Sequence, residues 1–155
     1  MMMQQTAFFC LMMPESELLD CEELYLSELV GFPLLLRENE SVSRALLNHV
    51  FALHGLVPEP FMESVSVHAI VQGVHEGLGI SFLPERLVRH SIESGFIATR
   101  PVADETFTRK NYIVRHRNKL LTASAKDFIG LCRSAGKKWL MDTSSVPGNG
   151  SDTVL

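Results

Sequence analysis

At 155 residues, 46% hydrophobic and 21% charged, the chain has the size and composition of a globular protein able to bury a real core. Its formal charge of −4 makes no electrostatic case for a nucleic-acid binder. Three scattered cysteines, Cys10, Cys21 and Cys132, cannot all pair and lack CxxC spacing, which argues against a disulfide framework and fits a reducing compartment.

The first stretch, "MMMQQTAFFCLMMPES", lacks the basic n-region of a signal peptide, has a short apolar run and leads straight into acidic residues. No segment is long enough to span a bilayer, so the expected location is the cytoplasm, with no membrane partner. Ala7 to Met13 predict a buried strand ended by Pro14. Glu15, Glu17, Asp20, Glu22, Glu23 and Glu28 then crowd together ahead of the first basic residue, Arg37. That stretch reads as a surface loop, with Ser27 capping a short turn before Phe32 and Pro33. Leu34 to Leu36 predict a second buried strand, and Arg37 to Glu40 a polar turn. From Ser41 or Ser43 the spacing becomes helical: Leu46, Val50 and Leu53 form one stripe, with Leu47 and Phe51 beside it. Gly55 stops the helix.

A Pro-rich connection passes through a short extended piece at Phe61 and Met62. Ser64 or Ser66 can then cap a helix carrying Val67, Ile70, Val71 and Val74 at i, i+3, i+4, i+7, and Gly77 ends it. Ile80 to Leu83 predict a buried strand, and Pro84 fits the first turn of a helix from Glu85 to about Glu93, closed by Gly95. Phe96 to Ala98 predict a short strand and the alternating "TFTRKNYIVRH" a longer one. Thr122 caps a last helix with Phe128, Leu131, Cys132 and Ala135, and the Ser/Gly/Pro-rich residues 141–155 read as a disordered tail. Strands alternating with helices argue for an α/β architecture with a largely parallel sheet, without internal repeats.

The glycine pair in "HEGLGIS" invites comparison with a phosphate loop. Such a loop needs its glycines after a strand and before a helix, where N–H groups and the helix dipole face the phosphate. Gly77 and Gly79 come after a helix and before a strand, at the negative end of the dipole, so that role is rejected. The entries that face the right way are "NESVSR", with Ser41 and Ser43, and "ESVS", with Ser64 and Ser66. Each sets hydroxyls and unpaired N–H groups at the positive end of a helix, where a carboxylate, sulfate or similar anion can sit. The bland alternative is that the serines only cap their own helices; two such entries in one small lobe are what lifts the ligand reading. His49 and His54 are five apart and His68 and His75 seven apart, neither the i, i+4 pair of a helical zinc site, so no metal or cofactor is expected. With no G-x-S-x-G elbow and no Cys–His arrangement to be picked out, no enzyme is expected either. The basic group Arg109, Lys110, Arg115, Arg117 and Lys119 reads as a solvated face.

In chain order, "LVGFPLLLRENESVSR", a helix closed by Gly55, Pro58, "MESVSVHAIVQGVHEGLGISFLPERLV", "SGFIATRPV" and "RKNYIVRHRNKLLTASAKDFIGLCRS" form a specific pattern. Together they resemble the C-terminal effector-binding domain of LysR-type transcriptional regulators, from about Leu29 to Ser134 and more weakly back to Ala7. The resemblance implies a two-lobed, periplasmic-binding-protein-like (type 2) α/β fold. It also implies that a small anionic metabolite is held in the cleft between lobes and sensed through lobe closure, without catalysis. Carried onto this sequence, Ser41, Val42 and Ser43 match the cleft-facing start of one helix. Val65 and Ser66 match the start of a second, and Pro84 a position near the cleft edge.

The family's N-terminal winged helix-turn-helix, its linker helix and the first half of its first lobe have no counterpart in these residues, so no direct nucleic-acid binding is expected of them. The resemblance assigns 1–28 to the crossing strand and acidic loop of lobe one, 29–104 to a complete second lobe, and 105–140 to the return strand and helix of a partial first lobe. Tyr112, Val114, Phe128 and Leu131 would then lack their usual partners. That raises an alternative of another class: an interaction fragment that forms a homo-oligomer or pairs with a full-length regulator. A solute-binding protein of a transporter would share the fold but needs export.

Overall fold

The computed structural model describes residues 2–116, 118 and 120–142. The chain divides into two compact units, Thr6–Arg109 and a smaller one made of Met1–Gln5 with Lys110–Leu155. The apolar stretch at the start becomes β1 (Met2–Met12), of which Thr6–Met12 belong to the larger unit. Its alternating side chains split between two cores, Phe8, Cys10 and Met12 on one face and Leu11 on the other. Next come a short helix α1 (Leu26–Leu29), strand β2 (Leu34–Arg37), helix α2 (Val42–Leu53), strand β3 (Pro60–Ser64), helix α3 (Val67–His75), strand β4 (Ser81–Pro84), helix α4 (Glu85–Glu93) and strand β5 (Ala98–Arg100). The return strand β6 (Thr108–Tyr112) and helix α5 (Ala123–Asp142) follow, and a single 3-10 turn at Glu17–Leu19 precedes α1.

β2 and β3 pair in parallel with Arg37 opposite Ser64, and a parallel bridge joins Leu34 to Ile80 at the entry to β4. The buried Ser81 hydroxyl strengthens that junction by donating to the Leu35 carbonyl at 2.6 Å. β1 lies between β4 and β5 and runs antiparallel to both, with Phe8 opposite Pro84 and Met12 opposite Ala98; β6 also pairs with β1. The expected largely parallel sheet therefore needs correcting. Only the β–α–β run from β2 to β4 requires parallel strands, and β1 is not reached by such a crossover.

The two faces are covered by different helices. Leu47, Val50 and Phe51 of α2 pack with Phe82 and Phe107, the Phe51 ring meeting Phe82 edge-on at 5.6 Å. Ile70, Val71 and Val74 of α3 and Val88 of α4 cover the other face over Leu35 and Leu83. Burying each such side chain contributes about 1.5–3 kcal/mol. Leu53, expected on the α2 stripe, is exposed.

Glycine ends α2, α3 and α4 in the same way. Gly55, Gly77 and Gly95 take φ of 70°, 74° and 73°. In each case the next N–H, from Leu56, Leu78 or Phe96, reaches back to a carbonyl of the last turn, on Phe51, Gly73 or Ser91. Gly79 answers a different need. A Cβ there would lie 2.1 Å from the Pro33 carbonyl oxygen, which accepts from the Ile80 N–H at 2.9 Å.

The acidic stretch lies within the larger unit. Leu18, Leu24, Leu26 and Leu29 point into its core, and the Arg100 guanidinium donates to the carbonyls of Leu19, Cys21 and Glu22. Tyr25, not Ser27, is the N-cap of α1, and Ser27 lies inside that helix. β5 starts at Ala98, two residues later than expected, and β6 ends at Tyr112. Pro84 closes β4 and serves as N-cap of α4 instead of entering its first turn.

In the smaller unit, Thr122 caps α5 through its hydroxyl, which accepts from Ala125 N–H at 3.2 Å. Tyr112, Val114, Phe128 and Leu131 are exposed. Arg117, Lys119 and, from 143 on, the expected disordered tail lie outside the described residues, while 141 and 142 close α5.

Candidate functional site

Two helix starts lie along one edge of the sheet. Because Arg37 and Ser64 are opposite each other at the carboxyl ends of β2 and β3, α2 and α3 both begin at that edge. They then run back over opposite faces, α2 on the Phe51 side and α3 on the Ile70 side. Such an edge, outside the carboxyl ends of strands, is where open α/β sheets take ligands. Pro84 ends β4 on the same edge.

Ser41 and Ser66 are each the N-cap of their helix. Ser41 Oγ accepts from the Ser43 N–H at 3.2 Å, and Ser66 Oγ accepts from the Ala69 N–H at 3.2 Å. Ser64 adds a further turn contact, accepting from the Ser66 N–H at 3.0 Å. Acceptance uses an oxygen lone pair and leaves the hydroxyl proton free to donate outward, so capping and anion binding are compatible at these positions. Val42 and Val65 are exposed while Ser43 is 7% exposed, so the α2 start is the more enclosed of the two. The six expected residues thus share one edge, with Ser41, Val42 and Ser43 on one face and Val65 and Ser66 at the start of the helix on the other.

Arg44, the last residue of "NESVSR", carries no local pattern that marks it as a site residue. It is 6% exposed and ties α2 to the sheet, donating to the Arg37 carbonyl at 2.9 Å and to Asn48 Oδ1 at 2.9 Å. Its charge faces Glu63 at 3.4 Å. Arg37 is likewise spent on Glu38, to which it donates at 2.8 and 2.9 Å; that hydrogen bond holds the Glu38 carboxyl below the usual range. The two arginines nearest the α2 start are therefore already matched to carboxylates.

At the opposite edge a pocket of about 380 Å³ opens beside Gly77 and Gly79, walled by Met12, Met13, Phe32, Leu78 and Ile80 with Cys21 at its side. No Lys or Arg lines it and Glu17 does, so it offers an anion no counter-charge. Among the described residues no group of three His, Cys, Asp or Glu side chains could hold a metal ion, and no helix is long and apolar enough to cross a membrane.

Comparison with known proteins agrees with this architecture. A family model described as the LysR substrate binding domain matches residues 5–137. The HTH-type transcriptional regulator YeiE of Escherichia coli (strain K12) is 29% identical over 110 residues, which are 71% of this chain and 38% of that protein. YwqM of Bacillus subtilis (strain 168), named as a regulator of the same type, is 33% identical over 114 residues, 72% of this chain and 38% of its own. The chain thus spans well under half the length of these relatives. Among solved structures, the effector binding domain of QuiR in complex with shikimate superposes with a TM-score of 0.76 at 17% identity, covering 89% of this chain and 65% of that one. The CcmR regulatory domain of Synechocystis PCC6803, in complex with 2-PG, gives 0.73 at 16% identity, covering 88% and 66%. These likenesses carry the fold alone, which is the periplasmic-binding-protein-like α/β fold of such domains.

Proposed function

The chain belongs to the LysR substrate-binding domain family, and from that premise we propose that it senses a small anionic metabolite in the cytoplasm as the effector-binding part of a transcriptional regulator. The family binds and does not catalyse. Ser41, Val42 and Ser43 at the α2 start, with Val65 and Ser66 at the α3 start, supply backbone N–H and hydroxyl donors, and Pro84 shapes the edge between them. The observation that carries this is the convergence of two capped helix starts on one sheet edge from opposite faces. Binding would act by favouring one arrangement of the chain over another, to the extent that the ligand's affinity differs between them.

The test separates capping from ligand binding. Aspartate caps helices as well as serine does, so Ser41→Asp and Ser66→Asp should keep the melting temperature while setting a negative charge where an anion would sit. In a thermal-shift panel of hydroxy- and dicarboxylates against their methyl esters, at least one free acid should stabilise the unaltered chain and its ester should not. The Asp variants should lose that stabilisation. If no acid stabilises the chain, or the Asp variants respond unchanged, the reading is wrong.

A second reading is favoured by the exposure of Tyr112, Val114, Phe128 and Leu131 in the smaller unit. It makes that face a contact for a second copy or for a full-length relative.

A further inference from the structure

An anion at the α2 start needs a counter-charge, and Arg37 and Arg44 already have theirs. Two buried side-chain polar atoms among the described residues have no hydrogen-bond partner, Thr6 Oγ1 and Arg109 Nε. The sequence places them more than a hundred residues apart, but the fold brings them to one place. Phe8 N–H donates to the Phe107 carbonyl at 2.9 Å, where β6 comes alongside β1. The larger unit begins at Thr6 and ends at Arg109, so beyond the Phe8–Phe107 contact both strands leave it together and must run in opposite directions. Thr6 and Arg109 each lie two residues outward from that contact. By strand alternation they share the face of Phe8 and Phe107, the face covered by α2.

Register fixes their height. Phe8 is opposite Pro84, the last residue of β4, so Thr6 lies past the carboxyl end of that strand, at the edge where α2 begins. Thr6 is 4% exposed and Ser43, in the first turn of α2, is 7% exposed. We propose that Thr6 and Arg109 hold the charged group of a small carboxylate in front of the α2 start, with Arg109 as its counter-charge. The inference rests on the anion-sensing reading above and names the residues that give it its sign. Every group named there donates: the guanidinium Nε–H, the threonine hydroxyl, the Ser43 hydroxyl and the first-turn N–H groups of α2. A buried donor left without a partner costs free energy, and a carboxylate is the acceptor that would relieve several at once. The same two groups therefore weaken the empty protein and strengthen the liganded one.

That opposition is what the experiment reads. In the full chain, with acetate as probe and chloride as the ionic-strength control, the Arg109 Nε–H resonance should shift on titration. Its midpoint should match that of the Val42 and Ser43 amides. Arg109→Gln should weaken acetate binding by about tenfold or more, Arg109→Lys by less, and Thr6→Val by about threefold to tenfold. Without acetate, R109Q and T6V should melt no lower than the unaltered chain. If R109Q fails to fold, R109K and T6V carry the same comparison. A lowered melting temperature with unchanged acetate affinity would make Arg109 structural and overturn the proposal, as would an Nε–H resonance that does not move. If the carboxylate panel stabilises the unaltered chain and R109Q alike, this inference alone falls. If no carboxylate acts on the unaltered chain, the anion-sensing reading falls with it.

Discussion

Cys10 and Cys21 are close in sequence and meet opposite surroundings. Cys10 lies inside β1 within the aromatic core, where burial pushes its thiol up to about 12. Folding thus keeps it protonated, a contribution intact below the ordinary thiol range and lost as pH climbs toward that value. Cys21 is exposed on the acidic stretch beside the Gly77–Gly79 pocket. Iodoacetamide should label the exposed Cys21 readily in the native chain, while Cys10 should label only after unfolding. Mass spectrometry of the labelled peptides checks this, and prompt labelling of Cys10 in the native chain would contradict its burial. At this scale the caps were legible in sequence, because a serine before a helical apolar period has a local signature. Thr6 and Arg109 were not: nothing near either residue announces that its polar atom will be buried, since the burial comes from strand pairing across the whole chain.

At the scale of elements, the helices and buried strands could be read from period and punctuation, and the errors came from tertiary context. Strand direction leaves no mark on a local pattern, so β1 read like any other buried strand although it runs antiparallel to its neighbours. The acidic charges masked four leucines that reach the core: Leu18 and Leu24 stand apart from any period, and Leu26 and Leu29 share a helix of one turn, too short to show one. The glycines divide by physical role. Gly79 allows the chain entering β4 to pass against the Pro33 backbone, whereas Gly95 only ends a helix, with open space where its Cβ would be. Gly79→Ala should therefore cost about 2–3 kcal/mol through a clash with backbone that cannot yield. Gly95→Ala should cost about 1 kcal/mol, from its left-handed conformation alone. Urea denaturation midpoints decide between them, and equal losses would mean the Pro33 contact is looser than its geometry.

For the whole molecule, the larger unit holds the buried core, while the smaller one leaves large apolar side chains in water. If that face is a contact surface, the chain should self-associate as its concentration rises in size-exclusion chromatography with light scattering. Phe128→Ser with Leu131→Ser should return it to monomer, both side chains being exposed and thus cheap to replace. A monomer at every concentration would remove the second reading and leave the anion-sensing one untouched.

The central place of β1 sets an order in time as well as in space. Its partners in β4 and β5 are about 70–90 residues further along the chain, so a ribosome adding roughly 5–20 residues per second completes them seconds later. Until then an apolar strand with unmet backbone groups on both edges is open to any passing chain. Yield during expression should accordingly be governed by how well β1 is shielded while it waits for β4 and β5, more than by the stability of the finished fold.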